Sequence, residues 1–277
     1  MAIIIDENTN VLVMGITGKQ ASFHTKQMLA YGTKIVAGVT PGKGGATVEG
    51  VPVYNTVREA CENHKIDASV IFVPAPATKD AALENIEAGI GVVVIITEGV
   101  PVYDEIEIVA YAKRKGAIVL GPNTFGIVSG GKCKIGIPPN QYFIEGNVGV
   151  VARSGTLTYE ITGNLTANGI GQSTVVGMGG DRAVGLTFID VLKMFEKDDQ
   201  TKAVVMIGEI GGNNEEIAAE YIKEMTKPVV AFIAGKSAPP GKRMGHAGAI
   251  IERGKGTYQG KVEALTAAGA KVAPLPS

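Results

Sequence analysis

Val11-Leu12-Val13-Met14-Gly15-Ile16-Thr17-Gly18-Lys19-Gln20-Ala21 begins as an apolar run, turns on glycine and enters a helical pattern that continues to Tyr31. An apolar run of strand length, bounded by a turn, reads as a strand buried on both faces. Outward from it the same alternation repeats. Strands are predicted at Val11–Gly15, Lys34–Val39, Ser69–Val73, Val92–Ile96 and Ala117–Leu120. Helices are predicted at Lys19–Tyr31, Thr56–His64, Thr78–Ala88 and Tyr103–Lys115. Alternation of this kind implies α/β architecture with a parallel, doubly wound sheet.

Residues 121–146 break the rhythm with many Gly and Pro residues, after which the alternation restarts. The second series has strands Val148–Ala152, Thr174–Gly177, Ala203–Gly208 and Val229–Ala234, with Lys271–Val272 at its end. Its helices are Leu157–Ala167, Leu186–Phe195, Glu215–Met225 and Gln259–Ala268. The expected organisation is therefore two doubly wound domains, 1–125 and 147–277, joined by a 126–146 linker with an extended excursion. The length of 277 residues suits two domains of ordinary size.

Composition narrows the function classes. Hydrophobic residues make up 45% and charged residues 19%, enough apolar material for packed cores. A net charge of -1 gives no general attraction for nucleic acid or an anionic membrane, so phosphate chemistry must come from local groups. The two cysteines, Cys61 and Cys133, form no CxxC pair; this argues against zinc or thioredoxin-like sites and fits a reducing compartment. Both are expected to be buried thiols. No apolar run reaches the ~20 residues of a membrane span. The N-terminal Met1-Ala2-Ile3-Ile4-Ile5-Asp6 lacks a basic targeting region, so a cytoplasmic protein, or a processed matrix protein, is expected.

The Gly15-x-x-Gly18-x-x-Ala21 turn is a shortened dinucleotide fingerprint. It reads either as a phosphate cradle at a helix N-terminus or as a tight turn without a ligand. A nicotinamide site would place an acidic residue ~20 positions on. Here the second strand runs into Thr40-Pro41-Gly42-Lys43, with no carboxylate and a lysine. That suits a ligand with phosphate on its ribose, CoA or NADP, although Lys43 also reads as a solvated loop residue. Ile96-Thr97-Glu98 ends another strand, where such sheets gather ligand contacts. Thr97 also reads as a helix cap. Look-alike motifs fail. Gly38-x-x-x-Gly42-Lys43 is one residue short of a P-loop, Ala152 replaces the first glycine of a nucleophile elbow, and no histidine sits in HExxH.

Of the three histidines, His24 and His64 lie in ordinary helical patterns. His246 sits in Gly241-Lys242-Arg243-Met244-Gly245-His246-Ala247-Gly248-Ala249, among small residues that leave the ring uncrowded and beside cations that attract phosphate. A neutral imidazole is a competent nucleophile near pH 7 when an acceptor fixes its tautomer. Glu209, at a strand end, is a candidate acceptor, or a simple helix-start carboxylate. Arg153-Ser154-Gly155 follows a strand and opens a helix, whose first N–H groups and the Ser154 hydroxyl form an anion site. Tyr159, about one turn in, reads as a substrate contact or as packing.

Together these stretches resemble the α-subunit family of succinate–CoA ligases. The likeness runs from about residue 3 to residue 270. It includes Gly-Val-Thr-Pro-Gly-Lys-Gly-Gly at 38–45, Val-Pro-Ala-Pro at 73–76 and Cys-Lys-Ile-Gly-Ile at 133–137. It also includes Arg-Ser-Gly-Thr-Leu-Thr-Tyr-Glu at 153–160, Met-Ile-Gly-Glu-Ile-Gly-Gly at 206–212 and Gly-Lys-Arg-Met-Gly-His-Ala-Gly-Ala-Ile at 241–250. The resemblance implies a Rossmann-like CoA-binding domain followed by a flavodoxin-like ligase domain. It implies that Thr17, Gly18, Lys19, Gln20, Lys43, Ile96, Thr97 and Glu98 hold CoA. His246 would carry the phosphoryl group and Glu209 would contact its loop. Ser154 and Gly155 would start the helix that holds the phosphate, and Tyr159 would lie near the acid substrate. A β subunit would supply the ATP or GTP site with Mg²⁺, and no metal is expected in this chain. The implied reaction joins succinate and CoA at the expense of a nucleoside triphosphate, through a phosphohistidine and an acyl phosphate. Two departures stand out: Phe125 takes a position usually held by proline, and the chain ends at Pro274-Leu275-Pro276-Ser277 where relatives usually add a helix. The rival readings are a sister ligase for malate or citrate, an NADP-dependent oxidoreductase, and a CoA-binding module without catalysis.

Overall fold

The computed structural model describes residues 3–239, 241–252 and 254–276. Its first half runs β1 (Asn10–Met14), α1 (Lys19–Tyr31), β2 (Lys34–Val39), β3 (Thr47–Val48), β4 (Val51–Tyr54), α2 (Val57–Asn63), β5 (Ala68–Ile71), α3 (Ala75–Glu87), β6 (Val92–Ile95), α4 (Val102–Lys115) and β7 (Ile118–Leu120). These strands form a seven-stranded sheet in the order β3-β4-β2-β1-β5-β6-β7, parallel except for the β3–β4 pair. The chain leaves β1 toward β2 on one side and returns to β5 on the other. The switch point therefore lies between β1 and β5, where the Gly15 turn emerges.

Alternation along each strand separates two cores. Val11 and Val13 join one apolar cluster, Leu12 and Met14 the other, as the period of two requires. Val92 and Val94 divide from Val93 and Ile95 in the same way, and every residue of β6 is buried. A run of Val and Ile is stable only with cover on both faces, which the crossover helices provide.

The second half has β8 (Gly126–Ser129), β9 (Cys133–Gly136), a 3-10 turn (Asn140–Tyr142), β10 (Glu145–Ala152), α5 (Gly155–Ala167), β11 (Gln172–Gly177), α6 (Phe188–Lys197), β12 (Ala203–Glu209), α7 (Asn214–Ile222), β13 (Val229–Ala234), α8 (Tyr258–Ala267) and β14 (Lys271–Ala273). The sheet order is β14-β13-β12-β10-β11-β8-β9. Its parallel part has the flavodoxin-like connection, with the switch point between β10 and β12. Both halves are thus doubly wound α/β units, as expected.

The structure departs from the sequence reading in places. The segment read as a linker excursion contributes β8 and β9, an antiparallel hairpin whose β8 pairs with β11 and extends the second sheet. The hairpin also ties the halves together: the Thr33 hydroxyl donates to the Lys134 carbonyl (2.7 Å) and accepts from its N–H (3.0 Å). The short β3–β4 hairpin was not anticipated; too few residues alternate there to give a pattern. Helix α6 starts two residues later than expected, because Thr187 and Asp190 form a capping box. Helix α3 starts earlier, at Ala75, since Pro76 is tolerated in a first turn. Cys133 is buried, and its thiol is pushed up to about 12 by burial; Cys61 is only half-buried.

Candidate active site

A cleft of about 470 Å³ opens beyond the carboxyl ends of β1, β2 and β5. Thr17, Gly18, Lys19 and Gln20 line it. Gly18 caps α1 with extended backbone and no side-chain hydrogen bond, so the first N–H groups of that helix face a place where no side chain competes for them. The Thr17 hydroxyl meets the Thr40 hydroxyl at 3.2 Å, joining the β1 turn to the end of β2. Thr40, Pro41, Phe72 and Val73 also line the cleft. The sequence reading missed these four, although they follow the strands that flank β1 and so belong to the same switch point.

The remaining residues expected here lie outside that lining. Lys43 sits exposed on the β2–β3 loop, which Asn55 Oδ1 pins by accepting from the Gly42 and Gly44 N–H groups (2.9 and 3.0 Å). Ile96, Thr97 and Glu98 follow β6. The Thr97 hydroxyl donates to the Val73 carbonyl (2.7 Å), Ile96 is half-buried and Glu98 is exposed.

The second site gathers at the β10/β12 switch point. His246 Nδ1 lies 2.9 Å from both oxygens of Glu209. A carboxylate only accepts, so Nδ1–H donates to it, and in the neutral ring the lone pair is left on Nε2. Glu209 raises the imidazole above its ordinary range of 6.5, against the effects of burial and of Arg153. The ring is 26% exposed, reachable yet oriented. It rests flat on Gly180: a Cβ there would come within 2.5 Å of the imidazole Cδ2, so no larger residue fits beneath it. The loop that carries His246 folds back on itself, with the Met244 N–H donating to the Ala249 carbonyl (2.8 Å).

Arg153, buried at the end of β10, has Nε 3.5 Å from Glu209 Oε1. It therefore links the His246–Glu209 pair to the helix start that follows it. Ser154 is the N-cap of α5, its hydroxyl accepting from the Leu157 N–H (3.5 Å), and Gly155 is the first helical residue. Tyr159 packs edge-on against Phe125, with ring centroids 5.9 Å apart, and its buried hydroxyl has no hydrogen-bond partner. Burial pushes that phenol well above its usual range. Phe125 is itself buried and fills the space beneath the start of α5.

Asp181, next to Gly180, was not singled out by sequence. It is buried, accepts from the Asn123 side-chain amide (3.1 Å), and its charge acts on both Glu105 and His246. No sequence signal marks it, because its partners come from the other half of the chain. The other two histidines have local roles: His24 stacks on Phe72, and His64 shares a 2.8 Å hydrogen bond with the Tyr54 hydroxyl. Among the described residues no group of three His, Cys, Asp or Glu side chains is arranged to hold a metal, and no helix is long and apolar enough to cross a membrane.

Residues 6–99 match the CoA binding domain family and residues 151–271 match the CoA-ligase family. The chain is 62% identical over 276 residues to succinate–CoA ligase [ADP-forming] subunit alpha 2 of Archaeoglobus fulgidus, covering 100% of this chain and 96% of that one. It is 61% identical over 275 residues to the corresponding alpha subunit of Methanothermobacter thermautotrophicus (99% and 94% covered). Over 278 residues it is 58% identical to that of Staphylococcus aureus (100% and 92% covered). Among solved structures, ATP citrate lyase from Methanothrix soehngenii in complex with citrate and coenzyme A superposes with a TM-score of 0.90 at 28% identity. That match covers 98% of this chain and 48% of the lyase, so this chain spans about half its length. The dinucleotide-forming acetyl-coenzyme A synthetase 1 of Ca. Korarchaeum cryptofilum shares the fold, with a TM-score of 0.77 at 23% identity (97% and 58% covered).

Proposed function

Since the chain belongs to the α-subunit family of succinate–CoA ligases, we propose that it makes succinyl-CoA by passing a phosphoryl group through His246. It is the α part of a nucleotide-dependent CoA ligase, with CoA as a substrate and a β subunit as its partner. The observation that carries the proposal is the His246–Glu209 pair, with Nδ1 held at 2.9 Å from both carboxylate oxygens.

The chemistry follows from the poor reactivity of a carboxylate, which has no good leaving group. His246 Nε2 attacks the terminal phosphorus of a nucleoside triphosphate held by the β subunit with Mg²⁺; the bond to the diphosphate breaks as the N–P bond forms. The succinate carboxylate then takes the phosphoryl group, which frees Nε2 and gives an acyl phosphate. The CoA thiolate attacks the acyl carbon and phosphate leaves with the electron pair of the broken C–O bond. Glu209 stabilises the charge that builds on the ring while the N–P bond forms. The first N–H groups of α5, at Ser154 and Gly155, are suited to hold the phosphoryl oxygens. The cleft at Thr17, Gly18, Lys19 and Gln20 is suited to the CoA phosphates. Lys43, exposed on the β2–β3 loop, and the 96–98 segment, one strand away, would act at its rim. Tyr159, its hydroxyl unpartnered and adjacent to Gly155, is suited to meet the acid substrate. Bacterial and archaeal relatives support a cytoplasmic setting.

The structural likeness to ATP citrate lyase favours comparing citrate and malate with succinate in the same assay. The decisive experiment uses the complex with its β subunit and γ-³²P-ATP or GTP. Acid-labile, base-stable label is expected on His246, and acyl-CoA formation in His246→Ala should fall by roughly 10³-fold or more. Formation of the thioester at the wild-type rate by that variant refutes the role.

A further inference from the structure

Lys261, on α8, and Glu215, in the first turn of α7, are both 0% exposed. Lys261 Nζ donates to Glu215 Oε2 (2.5 Å), to Glu216 Oε2 (2.8 Å) and to the Gly212 carbonyl (3.3 Å), so its three protons are all used. Burying such a pair is no simple route to stability, because desolvation offsets the attraction and apolar replacements are often as stable. The second oxygen of Glu215 shows what else the pair does. Oε1 accepts from the Glu209 backbone N–H (3.2 Å) and lies 4.0 Å from Arg153 Nη1. Arg153 in turn reaches the Glu209 carboxylate. Glu209 is thus held at its backbone by Glu215 and at its side chain by Arg153, and Glu215 sits against both. The close approach depends on Gly208, since a Cβ there would fall 2.7 Å from Glu215 Cγ.

We propose that Lys261 and Glu215 are positioning residues for phosphoryl transfer: fixed as a buried ion pair, they lock the Glu209 carboxylate on His246 Nδ1 and so aim Nε2 at phosphorus. The inference rests on His246 being the phosphorylated residue. It extends the site two layers outward, through Glu215 to a lysine on a helix that follows the His246 loop in sequence. The network reaches the imidazole through Glu209 and through Arg153, which lies 4.0 Å from Glu215; Arg153 and Asp181 are the other charged groups that act on the ring.

The test is single-turnover phosphorylation of the α–β complex by γ-³²P-nucleotide across pH 5–9. Lys261→Met/Glu215→Gln removes both charges of the pair together, and Glu215→Gln alone, in which Lys261 keeps Glu216 and the Gly212 carbonyl, is the second variant. Thermal melting of each complex verifies folding. The rate constant of His246 phosphorylation is expected to fall roughly 10–100-fold in the double variant, as for a reacting group displaced by about 1 Å, with nucleotide KM unchanged. The acidic limb of its pH profile is expected to move to lower pH, because a loosened Glu209 no longer raises the imidazole. Glu215→Gln should move both readouts in the same direction by less. Folded variants with the wild-type rate and wild-type limb overturn the proposal. A wild-type complex that forms no phosphohistidine strikes the premise instead, and the two failures are told apart by that control.

Discussion

At the scale of the residue, one contact decides what His246 can do. The Nδ1–H bond to Glu209 leaves Nε2 as the lone pair and raises the ring's affinity for a proton. Glu209→Gln removes the charge and offers an amide that can donate to Nδ1, which favours the wrong tautomer. The His246 titration, followed by ring-proton NMR, should then move downward toward 6.5, and phosphorylation should slow by roughly 10²–10⁴-fold. An unmoved titration midpoint would show that Glu209 is not what raises the imidazole. The linkage has a definite sign. The folded value is raised, so the charged pair contributes stability in full below the unfolded value of 6.5, and loses it as pH climbs through the folded value. His246 itself stood out in the sequence because small residues surround it. Glu209 was a candidate by its strand-end position. Asp181 and Lys261 carried no such mark, since a buried charge is recognised only by the partners that surround it.

At the scale of the element, the β8–β9 hairpin shows what spacing leaves out. Two strands of four residues each, separated by a turn, give too short a pattern to distinguish from a linker. Their sheet membership depends on β11, which lies far along the chain. Lys134, in β9, is fully buried, with no carboxylate partner among the described residues. It donates to the Pro138 carbonyl (2.9 Å) and to Asn140 Oδ1 (2.5 Å), and burial brings it down to about 8 from 10.5. The unfolded chain therefore binds more protons between those two values, and stability rises with pH across that window. This increment, up to about 3 kcal/mol at 1.36 kcal/mol per pKa unit, should be present in the wild type and absent in Lys134→Met. Urea unfolding at pH 7.5 and pH 10 measures it, and parallel changes in the two proteins would refute the assignment. By contrast, α1 and β2 were legible to the residue. Their apolar periods are long, and the chain supplies glycine at the turn before α1 and at its C-cap, Gly32.

For the whole molecule, the two sheets share one apolar cluster, which runs from Val11 and Val94 to Val151 and Leu265. The halves also meet at a carboxyl pair. Glu105, in the first turn of α4, is buried, accepts from the Ala183 N–H (3.1 Å) and feels the charge of Asp181, whose Oδ2 is buried without a hydrogen-bond partner. Burial first, then the Asp181 charge, raises Glu105 above 4.5, with the Ala183 N–H and, more weakly, Arg182 opposing. The sign follows: this stability is complete below pH 4.5 and is lost as pH rises through the raised value. Glu105→Gln keeps an acceptor for Ala183 and puts no charge beside Asp181 at any pH. Its Tm should match the wild type at pH 4.5 and exceed it by about 2 °C at pH 8, read by calorimetry. A Tm below the wild type at pH 8 would mean that the ionised carboxylate, not the acid, holds the two halves together.

The chain by itself determined the class of fold, the two successive α/β units, the glycine turn at Gly15 and the small-residue setting of His246. These are properties of residue type and short-range spacing, which the backbone obeys locally. Tertiary structure decided the rest: that Thr40 and Phe72 join the Gly15 turn in one cleft, that β8 and β9 belong to the second sheet, and that Lys261, Glu215 and Arg153 stand behind Glu209. Sheet order and helix packing bring those residues together from distant parts of the chain. A buried charge acquires its function only from the neighbours that neutralise it, and no local pattern in sequence records which neighbours those are.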